Sequence, residues 1–129
     1  KAVRLLKQAI RVEHKNAALY FNLANIYCSQ GDLAMAKKNF STAIALKPDC
    51  EEYHLAVARV YYSEGNYKKA LEELDGVSFD TRLLRAVILY STGYVALAAK
   101  ELEQLKAEQP ENELVKEYLE KIRQGLLAN

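Results

Sequence analysis

Side chains that could carry catalysis or hold a metal are few and scattered along this chain. The two histidines, His14 and His54, lie 40 positions apart, and no HExxH or CxxC pattern of the kind that binds zinc is present. Cys28 with a distant histidine could form a nucleophile pair, but a single cysteine on a helix is more commonly a small packing residue. Glycine-rich phosphate loops and a GxSxG motif are also absent. The sequence predicts neither an enzyme nor a site for a metal or cofactor.

Two pairs of adjacent glutamates could be mistaken for paired catalytic carboxylates. Glu51–Glu52 and Glu72–Glu73 are each consecutive in sequence. Consecutive side chains on a helix point about 100° apart, so neither pair can share a proton. Negative charge near a helix start and solvation of an exposed face explain them better.

The two cysteines are predicted to be free thiols. Cys28 ends one predicted helix and Cys50 precedes the next. These helices are expected to run side by side, which would place the thiols near opposite ends, about 20 Å apart. A disulfide needs Cα atoms within about 7 Å. Free thiols favour a reducing compartment such as the cytoplasm.

A pattern of residues recurs three times along the chain and predicts the helices that hold the side chains named above. Each unit contains a small residue, an aromatic or aliphatic residue, a glycine and a second small residue at matching offsets. A repeat of this kind indicates an array of similar supersecondary units. The landmarks are Ala24, Tyr27, Gly31, Ala36, Phe40, Ala43 and Pro48, then Ala58, Tyr61, Gly65, Ala70, Leu74 and Val77, then Ala86, Leu89, Gly93, Ala98, Leu102, Leu105 and Pro110.

The spacing of the landmarks has a physical reason. The small residue stands where two helices cross closely, because a larger side chain would separate the backbones. The glycine stands where the first helix ends and can adopt a positive φ. Asp32 and Asn66 follow two of these glycines and are good N-caps for the second helix. Pro48 and Pro110 end second helices, because the residue before a proline avoids the α region.

These landmarks resemble the tetratricopeptide repeat family, a helix–turn–helix of about 34 residues with the pattern W-x2-L-G-x2-Y…A-x3-F…P. The Trp place of the three units holds Tyr20, His54 and Arg82, and the second unit lacks the closing proline. The resemblance covers residues 1–112. It implies an all-α fold, a right-handed α-solenoid of tetratricopeptide-type helix–turn–helix repeats with a C-terminal capping helix. The first unit matches the family pattern at Leu23, Ala24 (for Gly), Tyr27, Ala36, Phe40 and Pro48.

The landmarks also suggest how the chain is organised. Residues 1–16 match the second helix of a truncated repeat, which indicates a fragment of a longer array. Glu120 stands where a fourth repeat would need a small residue, as is typical of a solvating cap. The predicted segments are therefore 1–16, repeat 1 at 17–50, repeat 2 at 51–78, repeat 3 at 79–112, and the capping helix at 113–129.

The second repeat is predicted to have a shortened second helix. Repeats 1 and 2 start 34 residues apart, whereas repeats 2 and 3 start 28 apart. The six residues by which the two spacings differ correspond to about 9 Å of helix. Their loss is either a tolerated deletion or a local change of superhelical pitch. We expect a loop over residues 77–80, with Ser78 or Asp80 capping the next helix. The predicted helices span residues 1–13, 17–29, 33–46, 51–63, 67–75, 80–92, 95–108 and 112–126.

Composition argues against a nucleic-acid partner and against a helix that spans a membrane. The 18 basic and 17 acidic residues leave a net charge of +1, which provides no electrostatic footprint for nucleic acid. The pairs Lys37–Lys38 and Lys68–Lys69 fall on predicted second helices and indicate a solvated convex face. No apolar run approaches the roughly 18 residues that a membrane span requires.

The resemblance implies a module that binds a peptide or helix of a partner protein in a concave groove lined by the first helices. We expect an amphipathic helix or an extended apolar segment to lie across Tyr62, with Arg59 pairing an acidic group. The protein would then be part of a larger scaffold or assembly protein. Two alternatives stay open: an architectural or self-associating segment whose groove is filled by its own protein or a second copy, and a regulatory segment attached to an enzyme. The predicted groove residues are Phe21, Asn25, Cys28, Leu55, Arg59, Tyr62, Leu83, Val87 and Tyr90.

One familiar class of partner is predicted to be excluded. Some members of the family grip the C-terminal EEVD motif of chaperones with a carboxylate clamp of Lys and Asn, then Asn, then Lys and Arg. Only Asn25 fits this clamp, and Asp80 has the wrong sign for a carboxylate ligand. The matching positions here are Phe21, Asn25, Ala56, Asp80 and Leu84.

Overall fold

The computed structural model describes the backbone of residues 1–128 and the side chains of residues 1–126. This described part forms eight α-helices and no β-strand, which confirms the expected all-α fold. The helices are α1 (Ala2–Val12), α2 (Ala17–Ser29), α3 (Leu33–Leu46), α4 (Glu51–Ser63), α5 (Tyr67–Glu72), α6 (Phe79–Ser91), α7 (Val95–Glu108) and α8 (Glu113–Ala128).

Most helix bounds agree with the predicted ones within one residue. The exceptions are α5, which ends three residues early, and α8, which continues two residues beyond its predicted end. Residue 129 of the predicted cap lies outside the described residues. The repeat boundaries proposed from the sequence stay predictions.

The turns between paired helices form as the sequence predicts. Gly31 and Gly65 have φ values of 79° and 78°, in the left-handed region that favours glycine. The Asp32 carboxylate accepts a hydrogen bond from the Met35 N–H at 3.2 Å and caps α3. Asn66 caps α5 in the same way, accepting from the Lys69 N–H at 3.3 Å.

The early end of α5 has a tertiary cause. The Leu74 N–H donates to the Leu71 carbonyl at 3.0 Å, a bond to the third preceding residue that tightens the last turn. Leu74 is buried. Its carbonyl accepts a hydrogen bond from the Arg85 guanidinium of α6. The Arg85 side chain of α6 therefore provides a hydrogen-bond donor for a carbonyl that has no partner within α5.

The connection from α5 to α6 spans residues 73–78, so it is longer than the predicted loop over residues 77–80 and ends two residues earlier. Ser78 caps α6, and its hydroxyl accepts a hydrogen bond from the Thr81 N–H at 3.2 Å. Phe79 and Asp80 therefore lie in the first turn of α6 rather than in the loop. Asp80 adds a carboxylate at the positive end of the helix, where it is favourable.

The chain divides into two compact units, with the division between Glu64 and Gly65. In unit 1, comprising α1–α4, helix α2 packs against α1 and α3, and α3 packs against α4. In unit 2, which begins with α5, helix α7 packs against both α6 and α8. The buried cluster of unit 1 contains Leu23, Ala24, Tyr27, Ala36, Phe40, Val57 and Val60. Buried apolar residues of unit 2 include Leu74, Ala86, Ile88, Ala98, Leu102, Leu105 and Val115.

The three different residues at the Trp place perform the same structural task. The Tyr20 hydroxyl donates to the His14 carbonyl at 2.9 Å. His54 Nε2 lies 2.7 Å from the Pro48 carbonyl oxygen, and Arg82 Nε donates to the Val77 carbonyl at 3.1 Å. Each side chain reaches back to the segment that precedes its helix. His54 thus forms a polar contact with the segment that precedes α4.

Candidate functional site

Helices α2 and α4 share one buried cluster in unit 1, with α3 between them in sequence. Ala24 of α2 and Ala58 of α4 have 0% exposed surface, so the absence of a larger side chain permits close packing there. Tyr27 and Phe40 are also buried. This packing determines which edges of α2 and α4 stay accessible.

The accessible edges enclose a depression of about 290 Å³, here termed the α2–α4 depression. Phe40 and Val60 are buried and form part of its lining, so it is apolar at depth. Asn25 and Arg59 are exposed and contribute the polar part of the lining. The complete lining is Asn25, Cys28, Leu33, Phe40, Ala56, Arg59, Val60 and Ser63.

Arg59 is the single charged residue in this lining, and no carboxylate accompanies it. Neither Arg59 nor Asn25 has an ion pair or side-chain hydrogen bond among the described residues. The Ser63 hydroxyl, by contrast, already donates to the Val60 carbonyl at 2.7 Å. The depression therefore offers a cation with five N–H donors and one amide to a ligand.

Cys28 contributes an apolar rather than a reactive surface. The side chain is half-buried in the last turn of α2. Burial raises the pKa of the Cys28 thiol above its ordinary value. The neutral thiol therefore predominates at pH 7 and behaves as a small apolar group.

The structure separates the nine predicted groove residues into three groups. Asn25, Cys28 and Arg59 line the α2–α4 depression. Phe21, Tyr62 and Tyr90 are half-buried. The other three, which were predicted to line the groove, are largely buried and belong to the helix packing: Leu55 at 8%, Leu83 at 8% and Val87 at 5% exposure.

The aromatic members of the predicted set also pack within their own units. Phe21 stacks on Tyr53 with ring centroids 4.8 Å apart and lies 5.7 Å from the Phe40 ring. Tyr90 meets Tyr118 edge to face at 5.4 Å. Such pairs stabilise a core, so these rings contribute to the fold whether or not a ligand is bound.

Sequence reasoning missed Ala56 and Ser63, which line the depression from α4. The nine predicted groove residues hold equivalent positions on the three first helices, so they lie on the same face of each helix. A depression between two helices is instead lined by the edges that face each other, and these edges point in different directions on the two helices. The signal for them is the spacing of Ala56, Arg59 and Ser63, which places them along one edge of α4.

Unit 2 contains a larger cavity, of about 600 Å³, between α7 and α8. Its lining includes five charged residues of both signs and none of the predicted groove residues. The Arg123 guanidinium donates to Glu120 across its wall and lowers the pKa of that carboxyl. The charged lining is Glu103, Lys106, Lys116, Glu120 and Arg123.

The part of the chain that the structure describes contains neither a membrane-crossing helix nor a cluster of metal ligands. No helix there is both long enough and apolar enough to cross a bilayer. No group of three or more His, Cys, Asp or Glu side chains comes together there as a metal site would require.

Comparison with known families identifies a model described as "Tetratricopeptide repeat". It matches residues 1–60 and, in a second overlapping match, residues 29–81. The matches together extend over more than half of the chain. They include α2, α3 and α4 and therefore all of the α2–α4 depression.

Solved structures have the same fold at low sequence identity. The crystal structure of MamA has a TM-score of 0.84 at 15% identity, covering 95% of this chain and 75% of that one. The first TPR of Spaghetti (RPAP3) bound to the HSP90 peptide SRMEEVD has a TM-score of 0.79 at 18% identity, with coverages of 86% and 93%. The second TPR domain of human RPAP3 in complex with the HSP70 peptide SGPTIEEVD has a TM-score of 0.75 at 19% identity, with coverages of 85% and 97%. At these identities the likeness extends to the fold alone.

Proposed function

The chain belongs to the tetratricopeptide repeat family, and on this premise we propose that it binds a segment of a partner protein in the α2–α4 depression. The family's fold is in general a non-catalytic fold for protein interaction. The observation that carries the proposal is the combination of an apolar depth with a surface cation and a surface amide that have no side-chain partner among the described residues.

The depression has room for one apolar side chain of the ligand. A cavity of about 150 Å³ lined by aliphatic and aromatic groups holds a benzene ring, and this depression is about 290 Å³. Burial against the half-buried Cys28, Leu33 and Ala56 would remove apolar surface from water on both partners. Each Å² of apolar surface so buried stabilises the complex by about 25 cal/mol. An apolar anchor residue is therefore the expected centre of the ligand.

The exposed guanidinium of Arg59 indicates a second feature of the ligand, an acidic group. A guanidinium without a carboxylate neighbour favours a partner that brings an Asp or Glu beside the anchor. Asn25 can bond a backbone amide of the ligand, because its side chain both donates and accepts. Tyr62 follows Arg59 by one helical turn, so a ligand paired with Arg59 would run across it. The ligand would be an amphipathic helix or an extended apolar segment that carries one acidic group.

Peptide complexes of structural neighbours support the proposed class of ligand. The two RPAP3 domains are described as bound to an HSP90 peptide and to an HSP70 peptide. Both peptides end in the same acidic motif, EEVD. This chain would share with them the class of ligand, a short protein segment, and would differ in the side chains that recognise it.

The test uses affinity capture with the parent protein, mass spectrometry and three matched variants. Arg59→Glu and Tyr62→Ala should each abolish capture of the main partner, while circular dichroism and melting temperature stay near the parent. Lys38→Glu, a change of the same charge at an exposed position of α3, should retain the partner. If both groove variants fold normally and still capture the partner, the α2–α4 depression is not the binding site. Light scattering across concentrations would reveal a second copy as the partner.

A further inference from the structure

The α2–α4 depression of unit 1 has an equivalent place in unit 2. Helices α2, α3 and α4 pack in the same order as α6, α7 and α8, because α3 and α7 each pack against the helix before and the helix after. Cys28 is the twelfth residue of α2, and Tyr90 is the twelfth residue of α6. Ala56 is the sixth residue of α4, and Tyr118 is the sixth residue of α8. The two small residues of unit 1 therefore correspond to two tyrosines of unit 2.

Aromatic rings occupy this place in unit 2. The rings of Tyr90 and Tyr118 meet edge to face, with their centroids 5.4 Å apart. Such a pair is attractive beyond the area that it buries, because the positive edge of one ring meets the negative face of the other. Val87, three residues before Tyr90, is buried, whereas Asn25 at the equivalent position of α2 is exposed. Helices α6 and α8 thus contact each other through aromatic side chains.

A cation completes the arrangement in unit 2. Lys121 Nζ lies 4.8 Å from the centroid of the Tyr118 ring, a distance at which a cation and a ring attract each other. Arg59 is the ninth residue of α4, as Lys121 is the ninth residue of α8. Unit 1 therefore has the cation, whereas Ala56 and Cys28 stand in the places of the two tyrosines.

The small side chains at these two positions leave room for a ring from another molecule. A methyl group and a thiol stand where unit 2 has two phenol rings, and the depression between α2 and α4 measures about 290 Å³. A cavity of about 150 Å³ holds a benzene ring, so the depression has room for an aromatic side chain. Helices α2, α3 and α4 all contribute to its lining.

We propose that the anchor which enters the α2–α4 depression is an aromatic side chain of the partner segment. Its ring lies against the Arg59 guanidinium as the Tyr118 ring lies against Lys121. This inference rests on the proposed function of the depression and specifies its ligand. A guanidinium stacks face to face on an aromatic ring, and its N–H donors lie in its own plane. Arg59 can therefore hold the ring and still pair with the acidic group of the ligand.

The test compares two small probes that differ only in the saturation of the ring. The compound para-cresol carries the side chain of tyrosine, and its hydrogenated analogue para-methylcyclohexanol has the same heavy atoms without the aromatic ring. NMR titration of the isotope-labelled parent protein gives a dissociation constant for each probe from the amide signals of Cys28, Ala56 and Arg59. We expect para-cresol to bind there about threefold more tightly or better. Arg59→Gln should abolish this preference, because the cation is lost.

Variants that fill the depression make the test specific to this site. Ala56→Tyr places a ring three residues before Arg59, the spacing found in unit 2. It should keep the melting temperature of the parent within a few degrees and lose the binding of both probes. Cys28→Tyr fills the same place from α2 and serves if the first variant does not fold. Ala45→Tyr, the same change at an exposed position of α3, should bind para-cresol like the parent.

Three outcomes would overturn the aromatic anchor. Equal affinity of the two probes would leave the α2–α4 depression as a site for an aliphatic anchor. Binding of neither probe at these residues, or para-cresol binding that persists in a folded variant with the depression filled, would also contradict the inference. The capture experiment with Arg59→Glu and Tyr62→Ala decides the proposed function separately, because its result does not depend on the kind of anchor.

Discussion

Side-chain volume at the helix crossings governs this structure at the scale of the residue. Ala24, Ala36 and Ala58 have no exposed surface, and Phe40 is 1% exposed. The alanines permit close approach of the helices, and Phe40 fills the space between them. The fold should therefore be destabilised by enlargement of these alanines and by truncation of Phe40.

Removal of the Phe40 ring should leave a cavity in unit 1. We expect Phe40→Ala to lower the free energy of unfolding by about 3–5 kcal/mol, since the lost burial adds to the energy of the cavity. Urea titration followed by circular dichroism measures this change. A loss below about 1 kcal/mol would mean that the site collapses around the smaller residue or that Phe40 is not central to the core.

Enlargement of Ala58 should also destabilise the fold. Ala58→Leu forces extra volume into a crossing with no exposed surface, which typically costs about 1–3 kcal/mol. Ala45→Leu is the matched control, because Ala45 is exposed on α3 and surface changes usually stay within about 0.5 kcal/mol. If Ala58→Leu is as stable as the parent in urea, the assignment of Ala58 to a helix crossing is wrong.

At the scale of the element, contacts between helix ends connect neighbouring helices of unit 2. Arg82 at the start of α6 forms two hydrogen bonds of 2.6 Å to the Glu108 carboxylate at the end of α7. The same guanidinium also donates to the Val77 carbonyl. One side chain thus connects the α5–α6 segment, α6 and α7 within unit 2. The hydrogen bonds to Arg82 lower the pKa of the Glu108 carboxyl, and they raise the pKa of Arg82.

The direction of this pKa shift predicts a dependence of stability on pH. The pKa of Glu108 is lower in the folded state, so its contribution is complete at neutral pH and is lost as the pH falls through the folded-state pKa, below the ordinary 4.5. Glu108→Gln should therefore melt below the parent at pH 7, by a modest amount because the pair is solvated. The two melting temperatures should converge in acid. A difference that stays constant from pH 7 to acid would show that the carboxylate charge is not responsible.

At the scale of the whole molecule, the α2–α4 depression lies within unit 1. The positions of a carboxylate clamp, in contrast, come from both units. They hold Phe21, Asn25 and Ala56 in unit 1, and Asp80 and Leu84 in unit 2. Only the asparagine could bind a carboxylate, and these positions supply no cation for a chain terminus.

The affinity of this chain for peptides with a C-terminal EEVD motif should accordingly not depend on the free terminal carboxylate. In calorimetry, we expect such a peptide to bind no better than its C-terminally amidated form, because the clamp positions of this chain lack the required Lys and Arg. The first TPR of Spaghetti (RPAP3), described as bound to SRMEEVD, provides the positive control. Tight binding that disappears on amidation would show that this chain recognises the carboxylate through other residues.

The sequence by itself determined the helices, their caps and their crossing residues, because these depend on interactions within a few residues. Gly31, Asp32 and Ser78 end or begin helices through local backbone geometry and short side-chain hydrogen bonds. Only the tertiary structure decided that Leu55 is buried while Ala56 lines the depression. These neighbours differ by about 100° around α4, and the packing of α2 and α3 against that helix selects which of the two a ligand can reach.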